Sequence, residues 1–252
     1  MPTILVTNDD GINSDGIVAL YMAMREVGDT FVVAPDREKS AVGHALTMHR
    51  PLKVEQLNDN IYTVNGTPTD CVVVAVEKLL KRRPDILISG INRGANLGDD
   101  ITYSGTVSAA IEGTMFGIPS VAISMVYEEG RAIEFPTAAE FAKRLVTFLL
   151  KHPMPPDTLL NVNVPNLKEE AIRGVKFTRQ GKRVYDNAIH ETLDPWGRKH
   201  YWIGGGTPSW DSEDDTDIRA VTEKYISITP LHLDLTNYDA LGYIKTRWQE
   251  LR

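Results

Sequence analysis

Short apolar runs rich in β-branched residues recur along the chain at 4–6, 31–34, 86–88, 121–123 and 159–164, each bounded by turn-forming residues. Runs of this length, apolar throughout instead of alternating, mark strands buried on both faces. The segments between them, 16–27, 69–82, 105–117 and 135–151, place apolar residues three and four positions apart, the spacing of a helix with one face on a core. Strand and helix therefore alternate. Parallel neighbours need a long crossover and a helix is the usual one, so the order predicts an α/β fold: a mostly parallel sheet with helices on both faces.

The pattern breaks at 180–218. Gly204, Gly205 and Gly206 stand in a row, Pro195 and Pro208 interrupt any ladder, Trp196, Tyr201, Trp202 and Trp210 are interspersed, and an acidic run spans 211–217. A further strand is expected at 225–229, and Asn237 is placed to cap a last helix. The expected organisation is a single domain over 1–252, with a core at about 1–179 and a C-terminal β-rich extension at about 180–252. Large aromatic area on so little local scaffold is the kind that a second copy of the chain covers.

Composition narrows the functional classes. A chain of 252 residues, 42% hydrophobic, can fill a core of its own. With 27 basic against 34 acidic residues the net charge is −7, which argues against nucleic acid as a partner. Cys71 is the only cysteine, so neither an intrachain disulfide nor a cysteine-based zinc cluster can form, and a reducing compartment is favoured. The N-terminal apolar run meets Asp9 and Asp10 too early for a secretory signal, and no stretch reaches the roughly 18 apolar residues of a spanning helix. The expectation is a cytoplasmic protein with no membrane partner.

In an open parallel sheet the ligand crevice lies beyond the carboxyl ends of the strands, so the loops there carry the chemistry. The first strand runs into Asn8-Asp9-Asp10-Gly11, two adjacent carboxylates that either cap the next helix or form a hard anionic site suited to Mg²⁺ or Mn²⁺. The second is followed by a polar loop with Ser40, an oxygen ligand, and His44, a proton donor or a surface residue. After the third, Asn92, Arg93 and Asn96 lie among glycines that let backbone approach a ligand. This loop lacks both the Gly-Lys-Ser/Thr of a Walker A motif and the glycine spacing of a dinucleotide fingerprint. Ser104, Gly105 and Thr106 open the next helix, where free N–H groups and the helix dipole can hold a phosphate. Hard-metal carboxylates at one strand end and an anion-ready helix start at another are the two halves of a metal-dependent phosphoester hydrolase.

Taken together, Thr7-Asn-Asp-Asp-Gly-Ile12, Val33-Ala-Pro-Asp36 with Ser40, Gly66-Thr-Pro-Thr-Asp-Cys71, Ser89-Gly-Ile-Asn92 with Asn96-Leu-Gly98, Tyr103-Ser-Gly-Thr-Val107 and Tyr225-Ile-Ser-Ile-Thr-Pro-Leu231 resemble the SurE family, the survival-protein nucleotidases. The blocks fall in the family's order over nearly the whole chain. The resemblance implies a Rossmann-like core and a metal-dependent phosphatase acting on nucleoside 5′-monophosphates, with 3′-nucleotides and short polyphosphate as further substrates. It places one divalent metal ion per subunit on Asp9, Asp10, Ser40 and Asn92, and the phosphate on Asn96, Ser104, Gly105 and Thr106. It also implies a homodimer or homotetramer built through the C-terminal arm.

Four protein oxygens leave open positions on an ion that prefers about six, which is room for water and a phosphate oxygen. The expected mechanism is in-line attack of water on phosphorus, with Asp9 and Asp10 in the catalytic set, Asp9 acting as base and His44 as proton donor to the leaving group. An aspartyl-phosphate route is less favoured, because such enzymes carry Asp-x-Asp and position 11 here is glycine. Two other classes compete: a non-catalytic nucleotide-binding or sensing module using the same phosphate pocket, and a glycosyltransferase. The adjacency of the two aspartates disfavours the latter.

Overall fold

The structure is a computed structural model describing residues 1–127, 130–185, 189–203, 208–210 and 213–251. The triple glycine at 204–206, the start of the acidic run at 211–212 and the side chain of Trp210 lie outside the described residues.

Strand β1 (Thr3–Thr7) leads to helix α1 (Asp15–Met24) and β2 (Asp29–Pro35), followed by the hairpin β3 (Val54–Asn58) and β4 (Ile61–Val64). Helix α2 (Pro68–Val74) runs on as one π turn (Ala75–Leu79) into β5 (Ile86–Arg93). Then come α3 (Gly105–Met115), β6 (Ser120–Val126), α4 (Phe135–Leu149), β7 (Thr158–Pro165) and β8 (Val175–Phe177). The excursion holds β9 (Arg183–Tyr185), β10 (Ile189–Leu193), β11 (Lys199–Ile203) and β12 (Pro208–Trp210), and the chain ends in α5 (Asp217–Thr222), β13 (Ile226–His232) and α6 (Tyr238–Arg247).

One nine-stranded sheet has the order β3-β4-β2-β1-β5-β6-β7-β13-β8. From β4 through β7 every pairing is parallel, and antiparallel pairs occur only at β3/β4 and β13/β7. The alternation of strand and helix is therefore realised as expected. Ile4 and Val6 face α1 and α4 in a core with Ile17, Leu20, Phe141 and Val146, while Leu5 faces α2 and α3 with Val72, Val107 and Ala110. Both faces of β1 are thereby buried, as its unbroken apolar run requires.

The chain leaves β1 in one direction toward β2 and returns on its other side as β5. That reversal opens a crevice at the carboxyl ends of β1 and β5, the site of ligand binding in open α/β sheets. Among the described residues no helix is long and apolar enough to cross a membrane.

Two details differ from the sequence reading. The helix expected at 69–82 widens out of α geometry at Ala75, where the Leu80 N–H bonds the Ala75 carbonyl five residues back, and ends before Pro84. The β3/β4 hairpin, unread in the sequence, is an edge element whose first strand is exposed at every residue, so no apolar run announces it.

Candidate active site

The loop after β1 is folded by its own side chains. The Asn8 amide donates to the Gly11 carbonyl at 3.0 Å and to Ser14 Oγ at 2.8 Å. Gly11 has φ +94°, and a Cβ on it would stand 2.9 Å from the Arg37 carbonyl carbon, so only glycine lets the loop after β2 lie this close. The Lys39 N–H completes the contact by donating to the Asp9 carbonyl at 2.7 Å. In this way Ser40 is brought beside Asp9 and Asp10.

Asp9 is buried, only 5% exposed. Its Oδ1 accepts a 2.5 Å hydrogen bond from Thr106 Oγ1 at the start of α3. Burial pushes its carboxyl up to about 6, against the pull of the Thr106 hydroxyl and with a further push from the Asp10 charge. Asp10 is also raised, chiefly by burial, although its Oδ2 accepts from the Arg93 N–H at 3.1 Å; Glu38 nearby adds to the rise. Ser40 Oγ donates to Glu38 Oε1 at 2.7 Å. Asn92 sits where the β5/β6 register shifts, between Ser89 and Asn92, and its amide donates to the Gly94 carbonyl at 2.9 Å.

Asp9, Asp10, Ser40, Asn92, Asn96 and Ser104 all line one open cleft of about 1010 Å³. Gly105 and Thr106 lie behind it. A Cβ on Gly105 would meet Asp9 Cβ at 2.7 Å, so glycine here is what lets helix and carboxylate touch. Ser104 caps α3 by accepting from the Val107 N–H at 3.1 Å.

Asn96 lines the cleft but spends its polar groups on the sheet. Its N–H donates to Asn163 Oδ1 and its side-chain amide to Ser124 Oγ, at 2.9 and 2.8 Å. Its carbonyl accepts from the amides of Asn161 and Asn163, at 2.8 and 2.9 Å. The residue therefore pins the loop after β5 to β6 and β7. His44 is not brought into the cleft. Its Nε2 lies 2.7 Å from Oε2 of the buried Glu112 in the last turns of α3, and the cleft lining does not include it, which leaves the proton-donor assignment without geometric support.

The family model described as "Survival protein SurE" matches residues 4–187, most of the chain and every one of these loops. The chain belongs to the SurE family. Among its relatives, the 5′-nucleotidase SurE of Pelobacter propionicus is 54% identical over 243 residues, covering 96% of this chain and 98% of that protein. The 5′-nucleotidase SurE of Geobacter sulfurreducens is 54% identical over 243 residues, covering 96% and 92% respectively. The crystal structure of the SurE protein from Aquifex aeolicus superposes with a TM-score of 0.89 at 48% identity, covering 99% of this chain and 100% of that one.

One residue of this SurE chain that sequence reasoning passed over is Asp217. Fully buried at the start of α5, it accepts from the Gly98 N–H at 2.8 Å through one oxygen, and from Gly181 and Ile218 at 2.9 and 2.8 Å through the other. It ties the loop of Asn96 to the base of the extension. Thr216, which accepts from the Arg219 N–H, was readable as a helix cap, but Asp217 was hidden as the last member of an acidic run.

Proposed function

We propose that this chain is a 5′-nucleotidase that hydrolyses nucleoside 5′-monophosphates to nucleoside and phosphate in the cleft at the ends of β1 and β5. The observation that carries the reading is the contact of Thr106, at the start of α3, with the buried carboxylate of Asp9, which puts an acidic cradle and a helix N-terminus on one cleft.

The residues fit a divalent metal. Two carboxylates pushed up by burial hold charge that the protein leaves uncompensated, which is an environment completed by a cation. The donor set inferred is Asp9 and Asp10 with the neutral oxygens of Ser40 and Asn92, a reading supported by their lining one cleft. Few charged ligands and several open positions suit Mg²⁺ or Mn²⁺ over zinc. When bound, such an ion supplies Lewis-acid polarisation of the phosphoryl group.

The protein's own groups do the rest. The N-cap of α3, Ser104, lines the cleft, and the positive end of the helix behind it favours a phosphate there. Asp9, the buried carboxylate on the cleft, is read as taking the proton of the water that attacks phosphorus as the nucleoside oxygen leaves. Thr106 fixes the orientation of that carboxylate through Oδ1. The same pocket is read as open to 3′-nucleotides and short polyphosphate, and the functional unit as a homodimer or homotetramer joined through the extension.

The test is to strip the protein with EDTA and assay phosphate release from the four nucleoside 5′-monophosphates, 3′-AMP and tripolyphosphate on re-addition of single metals. Release from 5′-monophosphates restored by Mg²⁺ or Mn²⁺ is expected. Nucleotide binding by calorimetry with no release under any metal would replace this reading by the sensing module.

A further inference from the structure

A second cavity, about 750 Å³, adjoins the catalytic cleft. The two share Ala95, Tyr127 and Arg131, so they lie side by side around the loop that follows β5. The phosphate chemistry uses none of it. The walls are apolar: Leu97 from the loop, Val126 and Pro165 from the ends of β6 and β7, Leu167 beyond β7, and Ile218 and Val221 on α5.

The enclosure is built by a buried charge. Leu97 precedes Gly98 and Ile218 follows Asp217, and the N–H groups of Gly98 and Ile218 both end on the Asp217 carboxylate. The loop wall and the helix wall are thus fixed to each other. Polar side chains at the margin are committed within the protein. Asn166 accepts from the Glu134 N–H and donates to the Ala132 carbonyl, each at 2.8 Å, and Thr222 Oγ1 donates to the Ile218 carbonyl at 2.9 Å.

We propose that this side cavity receives the nucleobase of the substrate, an inference that rests on the nucleotidase reading and extends it to what the enzyme selects. A base is a flat body with apolar faces and a polar rim. Apolar walls take its faces out of water, and a cavity of a few hundred Å³ beside the reaction site is the usual form of such a subsite. Tyr127 at the junction offers an aromatic face, carrying the Arg93 guanidinium 4.6 Å from its ring centre. Lys224 in the lining is a donor only, and every nucleobase presents acceptors on its edge. The subsite therefore separates nucleotides from small phosphate monoesters and discriminates little among bases.

Val221→Trp on α5 and Leu167→Trp beyond β7 each fill the cavity from a different segment of its lining. In either variant that keeps the wild-type melting temperature, kcat/KM for AMP, GMP, CMP and UMP is expected to fall about tenfold relative to that for β-glycerophosphate, mainly through KM. A ratio within twofold of wild type in both overturns the proposal. In wild-type protein, photolysis with 8-azido-AMP followed by peptide mapping is expected to label 165–167 or 218–224, whereas label confined to 132–135 of the main cleft overturns it even if neither variant folds. A wild-type chain that releases phosphate from neither AMP nor β-glycerophosphate under any metal removes the nucleotidase reading itself, an outcome distinct from loss of the ratio.

Discussion

Asp9 is held in a protonation balance by three neighbours: the burial that raises it, the Thr106 hydroxyl that lowers it, and the Asp10 charge that raises it again. Its value near 6 lies above the ordinary 3.8, so between these the folded state keeps the proton and the unfolded state does not. Metal-free protein should therefore lose stability as pH rises through that window, by up to about 1.4 kcal/mol per pH unit. Urea melts in EDTA from pH 4 to 7 measure this, and Asp9→Asn should flatten the slope while abolishing metal-dependent turnover. Thr106→Val removes the hydrogen bond that favours the charged form. In EDTA the window of pH over which stability is lost is then expected to extend upward, and an unchanged window would show that the hydroxyl does not govern Asp9. That Asp9, Asp10, Ser40 and Asn92 meet on one cleft was legible in the sequence, because paired carboxylates, a hydroxyl and an amide after strands are local patterns. That the Thr106 hydroxyl is bonded to Asp9 was not legible, since it depends on a contact across 97 positions.

Elements, more than single side chains, decide where the loop after β5 sits. Asn96 fastens it to β6 and β7, and Asp217 fastens its next turn to α5. Asp217→Ala would leave the backbone N–H groups of Gly98, Gly181 and Ile218 without this acceptor, at a cost of about 3 kcal/mol. Displacing the loop that follows Asn92 should also lower turnover, on the order of tenfold for a sub-ångström shift. Denaturant melts read the first effect and kcat at saturating Mn²⁺ the second. A variant that loses stability but keeps full kcat would reduce Asp217 to a purely structural tie. The five core strands and four helices were readable because burial on both faces writes itself as unbroken apolar runs. The β3 strand at the sheet edge has no such imprint, and the buried Asn161 and Asn163 read as ordinary polar positions until the fold set them beneath Asn96.

At the scale of the whole molecule, two elements lack the burial that would hold them. Every residue of β10 and β11 is exposed, and a two-stranded ribbon alone is marginal in water. Helix α6 is ten residues long with no buried residue, shorter than the roughly 12–15 that an isolated helix needs. Both nevertheless carry apolar side chains outward: Trp196, Trp202 and Ile203 in the hairpin, and Leu241, Tyr243 and Ile244 on the helix. Regular structure that its own subunit does not bury calls for another surface. A second copy of the chain would supply one, since a two-fold interface would pair each hairpin and helix with its equivalent or with the partner's core. Light scattering at micromolar concentration should then give at least twice 28.0 kDa. Trp202→Glu with Ile203→Glu places two charges on the hairpin and is expected to shift the mass toward one subunit. The cleft residues lie on the core sheet and not on the extension, so a resulting monomer should retain phosphatase activity. A wild-type chain that runs as a monomer would instead mean that hairpin and helix are ordered without a partner, against the energetics of both.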